Sequence, residues 1–388
     1  MLKRFMSTKN EQYKTPGQLV SNLLKERGWT QKTLSVIMGV DSNAVSLIIN
    51  AKRQVDASMA VVLEEVFNVP AKRFLDLQKS YDLAKARIEA IPDPDRKTRA
   101  HLYGELPVND MIKRGWVNAK NVRDTENVEA SLKHFFGVNR LEDIETLPHA
   151  AKRTEISVDA TPTQLAWLYR VKSIASNMVV GKYSKTAVEK AIREIKRLLL
   201  SPDELRNVPR ILADAGIRFV IVESLPSSKI DGVCFWLDEY SPVIGMTLRF
   251  DRIDNFCFVL RHELEHVKNR DGLETVLLDV DIFDESVGKF NDTIASQEKR
   301  ANEAAADFCV PSNMMDKFIR VKAPLFSERD FLALSKITKV HPGLVAGQLQ
   351  HKTKRFHLFR KYLVPIRKIV TASALTDGWG NIAPIYES

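Results

Sequence analysis

The chain has 388 residues, of which 44% are hydrophobic and 28% charged, and its formal net charge is +9 at pH 7. Such values are ordinary for globular proteins and exclude a mainly disordered chain, and 16 Gly and 16 Pro exclude a collagen-like one. The three Cys, each in an apolar segment, exclude a disulfide scaffold and favour the reducing cytoplasm, and the lack of a long apolar run predicts no membrane association.

The N-terminal part of the chain is predicted to be a flexible tail followed by an all-α helix-turn-helix domain. Residues 1–14 are polar and basic and have no hydrophobic period, whereas residues 15–90 hold short helical stripes of apolar residues that end at glycine or asparagine. Two of these helices, 31–38 and 42–50, are joined by Gly39-Val40-Asp41. A glycine at this place supplies the left-handed backbone that the sharp turn between the helices requires.

The second of these helices is predicted to be the recognition helix that lies in the major groove of DNA. Its exposed face and the residues after it offer Ser42, Asn43, Ser46, Lys52 and Arg53. Asn pairs bidentately with adenine and Ser reaches bases or phosphates, whereas Lys52 and Arg53 would neutralise phosphates and make binding depend on salt. The alternative is a helical module that makes protein contacts only, because short polar residues on such a helix do not by themselves require DNA.

Several short pieces of this segment match a known pattern: Thr15-Pro16-Gly17, Trp29-Thr30-Gln31, Met38-Gly39-Val40, Ser46-Leu47-Ile48-Ile49-Asn50, Lys52-Arg53 and Phe74-Leu75-Asp76-Leu77-Gln78. With these pieces the segment resembles the Cro/CI-type (XRE) domains, and most closely the HigA-like antitoxins. The resemblance implies a phosphate contact from Gln31 and a double-stranded DNA operator as the partner. It also implies binding as a homodimer to a palindromic site.

Residues 91–205 are predicted to be a helical connecting region, which begins at a polar stretch around Ile91-Pro92-Asp93-Pro94. After Pro209 the sequence becomes rich in β-forming residues. Three runs predict a small β-meander, at 217–222, 232–237 and 242–248, and two helices are predicted to follow it, at about 256–268 and 296–309. Residues 326–388 are predicted to be C-terminal helices and a tail, so that the fold class is α+β.

The segment His262-Glu263-Leu264-Glu265-His266 has the pattern H-E-x-x-H. On a helix, residues four apart lie one turn from each other, so both imidazoles point the same way and can bind one ion. Glu263 lies beside them and is placed to take a proton from a water on that ion, which lowers the pKa of the water toward about 7. The motif therefore predicts a zinc site with His262 and His266 as ligands and Glu263 as catalytic base. The alternative is two surface histidines beside an ion-paired Glu.

A catalytic zinc site needs a third protein ligand and leaves its fourth position open. The next helix carries a stripe of small residues that lets it approach the motif helix closely: Ala301, Ala304 and Ala305. Glu298 lies on this same stripe and is the favoured ligand, whereas Glu303, about 200° around the helix, is the alternative. Asn302 would hold a ligand histidine from behind, or be a plain surface amide.

Further pieces of residues 206–325 match a known pattern: Ala215-Gly216-Ile217-Arg218-Phe219-Val220, Leu225-Pro226, Ile230-Asp231-Gly232, Pro242-Val243-Ile244, Phe258 through His266, and Glu298 through Pro311. With them the region resembles the ImmA/IrrE family of metallopeptidases. The resemblance implies a zincin-like domain with His262, His266 and Glu298 as ligands and Glu263 as base. This chain departs from the family pattern where Glu265 replaces a usual Gly, which places an extra acid close to the metal; the expected ion is Zn²⁺, with the harder ion Mn²⁺ as the alternative.

The leading hypothesis is a transcriptional regulator that binds operator DNA through its N-terminal domain and cleaves a partner protein, a repressor or a toxin, through a zinc-dependent endopeptidase domain. The segment Leu106–Trp116 also resembles the middle of HigA-like regulators fused to such a peptidase. The alternative hypothesis is a non-catalytic repressor or antitoxin whose metal site is structural or empty. Tyr240, His341 and His351 are candidate donors to the transition-state oxyanion, but none stands out and that role stays open.

Overall fold

The computed structural model describes residues 13–90, 96–144, 155–156, 160–273, 275–280 and 292–384. The chain divides into two compact units, Met1–Pro94 and Asp95–Ser388. The tail predicted over residues 1–14 lies outside the described residues except for Tyr13 and Lys14, and the boundary predicted at residues 91–94 lies outside them altogether.

The described residues of the first unit, 13–90, form five helices: α1 (Pro16–Arg27), α2 (Gln31–Met38), α3 (Ser42–Ile49), α4 (Ala57–Phe67) and α5 (Ala71–Glu89). The first four begin at side chains that accept a hydrogen bond from a backbone N–H of the first turn, namely Thr15, Thr30, Asp41 and Asp56. Gly39 ends α2 in the left-handed region at φ 64°, as the turn requires. The apolar faces of the helices form one buried core, which includes Val20, Leu34, Val45, Leu63 and Phe74.

No single helix in the described ranges is long and apolar enough to cross a membrane. The pair α2 and α3 reaches the required length and composition only when both helices are counted together, across a bend of 117°. In the first unit this pair packs through buried residues such as Leu34 and Val45.

The second unit contains the remaining helices: α6 (Arg96–Glu105), α7 (Val108–Lys113), α8 (Thr125–Phe136), α9 (Pro162–Ser176), α10 (Lys185–Leu198), α11 (Val208–Asp214), α12 (Ile253–Asn269), α13 (Asp292–Cys309), α14 (Ser312–Lys322), α15 (Glu328–Thr338), α16 (Pro342–Thr353) and α17 (Arg367–Thr371). Short 3-10 turns lie at Leu141–Asp143, Pro202–Asn207 and Arg360–Tyr362. Its strands are β1 (Glu155–Ile156), β2 (Arg218–Val222), β3 (Ile230–Trp236), β4 (Pro242–Met246), β5 (Thr275–Val280) and β6 (Leu375–Asp377).

The six strands form one sheet in the order β1-β5-β3-β4-β2-β6. β3 is antiparallel to β4 and β5, whereas β2 is parallel to β4 and β6, and β1 is parallel to β5. The predicted β-meander is therefore wrong, because β2 pairs with β4 and not with β3. Neighbouring strands in sequence pair most often, and a departure from that order depends on long-range contacts that a local pattern does not encode.

Alternate residues of the central strands enter two different cores, one on each face of the sheet. On one face Phe219, Cys234 and Ile244 pack against α10 to α13 and α16. On the other face, residues such as Val220 and Val233 pack against α9 and the helices before it. The second unit is thus a mixed sheet covered by helices on both sides, and the α+β class predicted for the chain is confirmed.

Candidate functional site

The two histidines of the motif lie on α12, one turn apart, on the side of the helix that faces the sheet and α13. Both side chains are fully buried. The Nε2 atom of His266 lies 3.0 Å from the Nε2 atom of His262. The helical period alone explains this approach, because residues four apart stand above one another on the same face.

Glu298, the favoured third ligand, reaches the same point from α13. Its Oε2 lies 3.2 Å from Nε2 of His262 and its Oε1 lies 3.5 Å from Nε2 of His266. Two ligand atoms at about 2.0–2.1 Å from a tetrahedral zinc ion are roughly 3.3 Å apart, so all three distances have the length of an edge of such a site. Buried Ala301 allows the close packing of the two helices, and Glu303 is exposed on the outer face of α13.

Each imidazole makes a hydrogen bond through its Nδ1 atom. Its Nε2 atom therefore points to the place where His262, His266 and Glu298 converge. His262 Nδ1 donates to Oδ1 of Asn302 at 3.1 Å, and His266 Nδ1 donates to Oδ2 of Asp271 at 3.1 Å. Arg300 Nη2 donates in turn to the same oxygen of Asp271 at 2.5 Å. Partners of this kind fix the tautomer and the direction of a metal-binding imidazole.

The sequence reasoning named Asn302 but missed Asp271 and Arg300. Asp271 follows the left-handed residue that ends α12, five residues after His266, and no motif marks that position. Arg300 is two residues after Glu298, which looks like an ordinary surface position of a helix. The sequence signal for this pair is only that the charges are opposite, with Asp271 just after α12 and Arg300 in the middle of α13.

A further carboxylate lies beside the histidines. Asp279, on β5, is buried, and its Oδ2 is 3.3 Å from Nε2 of His262. The prediction that Glu265 supplies the extra acid is wrong, because its carboxylate accepts hydrogen bonds from Arg261 at 2.6 Å and from Asn269 at 2.8 Å. Asp279 was not among the predicted site residues, because the sequence pattern did not indicate a strand at Thr275–Val280.

Glu263, the predicted base, is fully buried, and apart from the Asp279 carboxyl group no described residue hydrogen-bonds to its carboxyl oxygens. Burying a carboxylate without a partner is costly, and such groups in folded proteins usually face a water, an ion or a proton. The arrangement therefore leaves the Glu263 carboxyl group available to a group that binds where His262, His266 and Glu298 meet.

The carboxylates and imidazoles perturb one another's ionisation. Burial alone would lower the pKa of His262, but the charges and hydrogen bonds of Asp279 and Glu298 outweigh it and raise that pKa to about 10. Burial conversely opposes ionisation of Asp279, and the His262 imidazolium overcomes it, so that the pKa of Asp279 falls to about 2. Burial, followed by repulsion from Asp279 and Glu298, raises the pKa of Glu263 well above its usual value.

The six predicted DNA contacts all lie in the first unit, on α2, α3 or the turn after α3. Five of them have exposed side chains: Gln31, Ser42, Asn43, Lys52 and Arg53. Ser46 is half-buried. Asn50, just after α3, donates through Nδ2 to the backbone oxygen of Ser46 at 2.8 Å and to Oγ of Ser46 at 3.3 Å. The sequence did not single out Asn50, which is exposed beside these contacts.

The candidates for an oxyanion donor have different surroundings. Tyr240 is 65% exposed, and His341 begins α16, where its Nδ1 accepts a hydrogen bond from the backbone N–H of Gly343 at 3.0 Å. His351 lines a cleft between α12, α13 and α16. These positions leave the role open, as it was in the sequence.

Residues 20–74 match the helix-turn-helix family model. A solved structure described as an addiction module antidote protein of the HigA family, from Coxiella burnetii, is similar over 20% of this chain and 95% of its own, with 24% identity and a TM-score of 0.17. No curated protein matches the chain. The family-model match shows that the first unit contains a helix-turn-helix domain, and that part of the prediction is confirmed.

Proposed function

We propose that the chain is a DNA-binding regulator of the XRE, HigA-like kind, whose second unit is a zincin-like endopeptidase related to the ImmA/IrrE family. The observation that supports the peptidase is the convergence of His262, His266 and Glu298 on one buried point with Glu263 beside it. The substrate of the proposed reaction is a peptide bond in a partner protein, a repressor or a toxin.

The donor set fits a divalent cation. Two imidazole Nε2 atoms and one carboxylate are the ligands that zinc prefers in hydrolytic sites, and their mutual distances agree with that geometry. Zn²⁺ bound there would polarise the scissile carbonyl and acidify the attacking water. Asp279 adds a hard oxygen near His262, which makes Mn²⁺ the alternative ion.

The side chains of this chain then perform the proton transfers. One Glu263 oxygen accepts a proton from the attacking water as the oxygen–carbon bond forms, and returns it to the nitrogen of the leaving amine as the carbon–nitrogen bond breaks. Glu263 is fully buried, so bulk water does not compete for that proton. Asn302 and Asp271 keep both imidazoles oriented throughout, since they hold the Nδ1 atoms.

DNA binding is proposed for the exposed side of α2 and α3. Helix-turn-helix domains place the second helix of the motif in the major groove, where Ser42 and Asn43 would reach base edges. Gln31, Lys52 and Arg53 are exposed around that helix and would contact phosphates. A homodimer on a palindromic operator is the arrangement that such domains commonly use.

The decisive experiment uses Glu263→Gln in the full chain. Purified protein loaded with zinc is incubated with a peptide library made from a bacterial proteome, and new N-termini are identified by mass spectrometry. We expect reproducible cleavage by the wild-type protein and none by Glu263→Gln, with equal zinc content in both. Equal product patterns from the two proteins would show that Glu263 is not the base.

The ligand assignment is tested by metal content. Glu298→Ala and His262→Ala should lose stoichiometric zinc, whereas Glu303→Ala is the matched control on the exposed face of the same helix and should keep it. Zinc retained by Glu298→Ala but lost by Glu303→Ala would transfer the third-ligand role to the alternative residue.

A second candidate function, a non-catalytic repressor or antitoxin, has one observation in its favour. His262 lies between Asp279 and Glu298, and its pKa of about 10 means that an imidazolium can hold these acids together without a metal. Fully folded, metal-free protein that binds DNA and cleaves nothing after zinc is added would favour this function.

A further inference from the structure

Gly232, on β3, lies directly against the proposed base. A Cβ atom at this position would be 2.0 Å from Oε1 of Glu263, 3.0 Å from its Cδ and 2.9 Å from Cγ1 of Val259. The φ angle of Gly232 lies outside the left-handed region that favours glycine. Position 232 therefore needs a glycine because Glu263 occupies the space that a side chain would fill. The backbone conformation does not require one.

The sheet is irregular at the same place. The register between β3 and β5 shifts between Ile230 and Gly232, so that Ile230 pairs with Val280 and Gly232 pairs with Asp279. Such an irregularity re-aims side chains and is common beside functional sites. It places Gly232 opposite Asp279, with the Glu263 carboxylate in the gap that the missing side chain leaves.

We propose that Gly232 is a positioning residue: because it has no side chain, the Glu263 carboxylate packs directly against the backbone of β3. This inference rests on the proposed function of Glu263. Apart from the Asp279 carboxyl group, no side chain or backbone N–H among the described residues hydrogen-bonds to Glu263, so packing against Gly232 helps to set where this fully buried side chain lies. A methyl group at position 232 meets the flexible end of the Glu263 side chain and displaces it, while the three ligands on α12 and α13 stay in place.

Gly245, on the neighbouring strand β4, provides a matched control. A Cβ atom there would lie 2.7 Å from Cγ1 of Val171 and 2.9 Å from Cγ1 of Val233, which is similar crowding in the same sheet. The atoms that it meets belong to the core against α9, on the opposite face from Glu263. Gly245→Ala therefore measures the cost of an added methyl group without touching the base.

The test uses Co²⁺ as the metal and acetohydroxamic acid as the probe, both followed by visible absorption of the full chain. A hydroxamate chelates such an ion through two oxygens, and its acidic proton makes a charge-assisted hydrogen bond with a carboxylate beside the ion. We expect the wild-type protein, Gly232→Ala and Gly245→Ala to bind Co²⁺ equally. Gly232→Ala should bind the hydroxamate about tenfold or more weakly, as expected for the loss of one such bond, and Gly245→Ala should bind it like the wild-type protein.

A double-substitution cycle separates positioning from a general loss of structure. Glu263→Asp shortens the side chain by one methylene, which clears the added methyl group, so it should weaken hydroxamate binding less in the Gly232→Ala background than in the wild-type background. Simple additivity, unchanged hydroxamate affinity of Gly232→Ala, or loss of Co²⁺ from Gly232→Ala alone would each overturn the inference. A wild-type protein that binds neither Co²⁺ nor the hydroxamate would instead end the proposed function.

Discussion

Zinc binding should become tighter as the pH rises, because zinc and a proton compete for Nε2 of His262. The pKa of this imidazole is about 10, raised by Asp279 and Glu298. At pH 7, about three units below this pKa, nearly all of the protein carries a proton on His262, and zinc must displace it. This competition weakens zinc binding by about 1000-fold, or about 4 kcal/mol, relative to the unprotonated protein. The apparent affinity should therefore rise about tenfold per pH unit from pH 7 until it levels off near pH 10.

The assay is calorimetric titration of metal-free protein with zinc in two buffers of different ionisation enthalpy, which counts the protons released. About one proton per zinc is expected from His262 at pH 7 to 8. Glu263→Gln is the control, because it removes the other group at the centre with a raised pKa and leaves the release from His262. A zinc affinity that does not change between pH 7 and 9 in this variant, with no proton released, would refute the reasoning.

Two further predictions concern DNA binding and stability. Lys52→Ala/Arg53→Ala should weaken binding to a short random-sequence duplex and reduce the slope of log affinity against log salt by about 1.8, since each lost phosphate contact contributes about 0.9. Asp377→Ala should destabilise the second unit by about 3–5 kcal/mol in urea unfolding, because it leaves the buried Arg170 guanidinium without its carboxylate and removes the acceptor of the Trp116 Nε1–H.

Each of these has a matched control. Lys72→Ala/Arg73→Ala removes the same charge from the first turn of α5, outside the helix-turn-helix pair α2 and α3, and should leave the salt slope unchanged. Equal slopes for both double variants would contradict the placement of the phosphate contacts. Asp214→Ala breaks an ion pair with Arg210 whose side chains are 74% and 86% exposed, and should change the unfolding midpoint little. Equal midpoints for Asp377→Ala and Asp214→Ala would contradict the role of the buried pair.

What the sequence predicted best is what a helix fixes locally. His262 and His266 converge because they are four residues apart, and Glu298 joins them because it shares a face of α13 with Ala301. For Asn302 the sequence left two alternatives, a partner of a ligand histidine or a plain surface amide, and the structure has the first. All of these follow from one period of 3.6 residues and the packing of two helices.

The rest of the centre depends on contacts between segments that lie far apart in the chain. Asp279 is brought to His262 by pairing of β5 with β3, and Asp271 and Arg300 meet across two helices. Glu265 shows the converse error, since its position in the motif suggested the metal and its actual partners are Arg261 and Asn269. Local patterns predict which residues can share a face, but the tertiary fold decides which of two acids turns inward.

The metal-free protein should remain folded near neutral pH, and its stability should depend on the same proton. The pKa of His262 is raised from 6.5 to about 10, so its contribution to stability is fully present below pH 6.5 and is lost as the pH rises through 10. The pKa of Asp279 is lowered from 3.8 to about 2, so its contribution is present above pH 3.8 and is lost as the pH falls through 2. Thermal unfolding of the chelated protein should therefore show a loss of stability between pH 8 and 10 that is smaller in Asp279→Asn.

Zinc should abolish this alkaline loss in the wild-type protein, because the ion then replaces the imidazolium as the positive charge between Asp279 and Glu298. Parallel loss of stability in the wild-type protein and Asp279→Asn would mean that other groups control the alkaline transition. If the difference is found, the metal-free state is held together by its own ion pairs. If chelation at neutral pH then abolishes cleavage, the cause is the loss of the ion's chemistry and not unfolding of the domain. The comparison of wild-type protein with Glu263→Gln depends on the domain being folded in the same way.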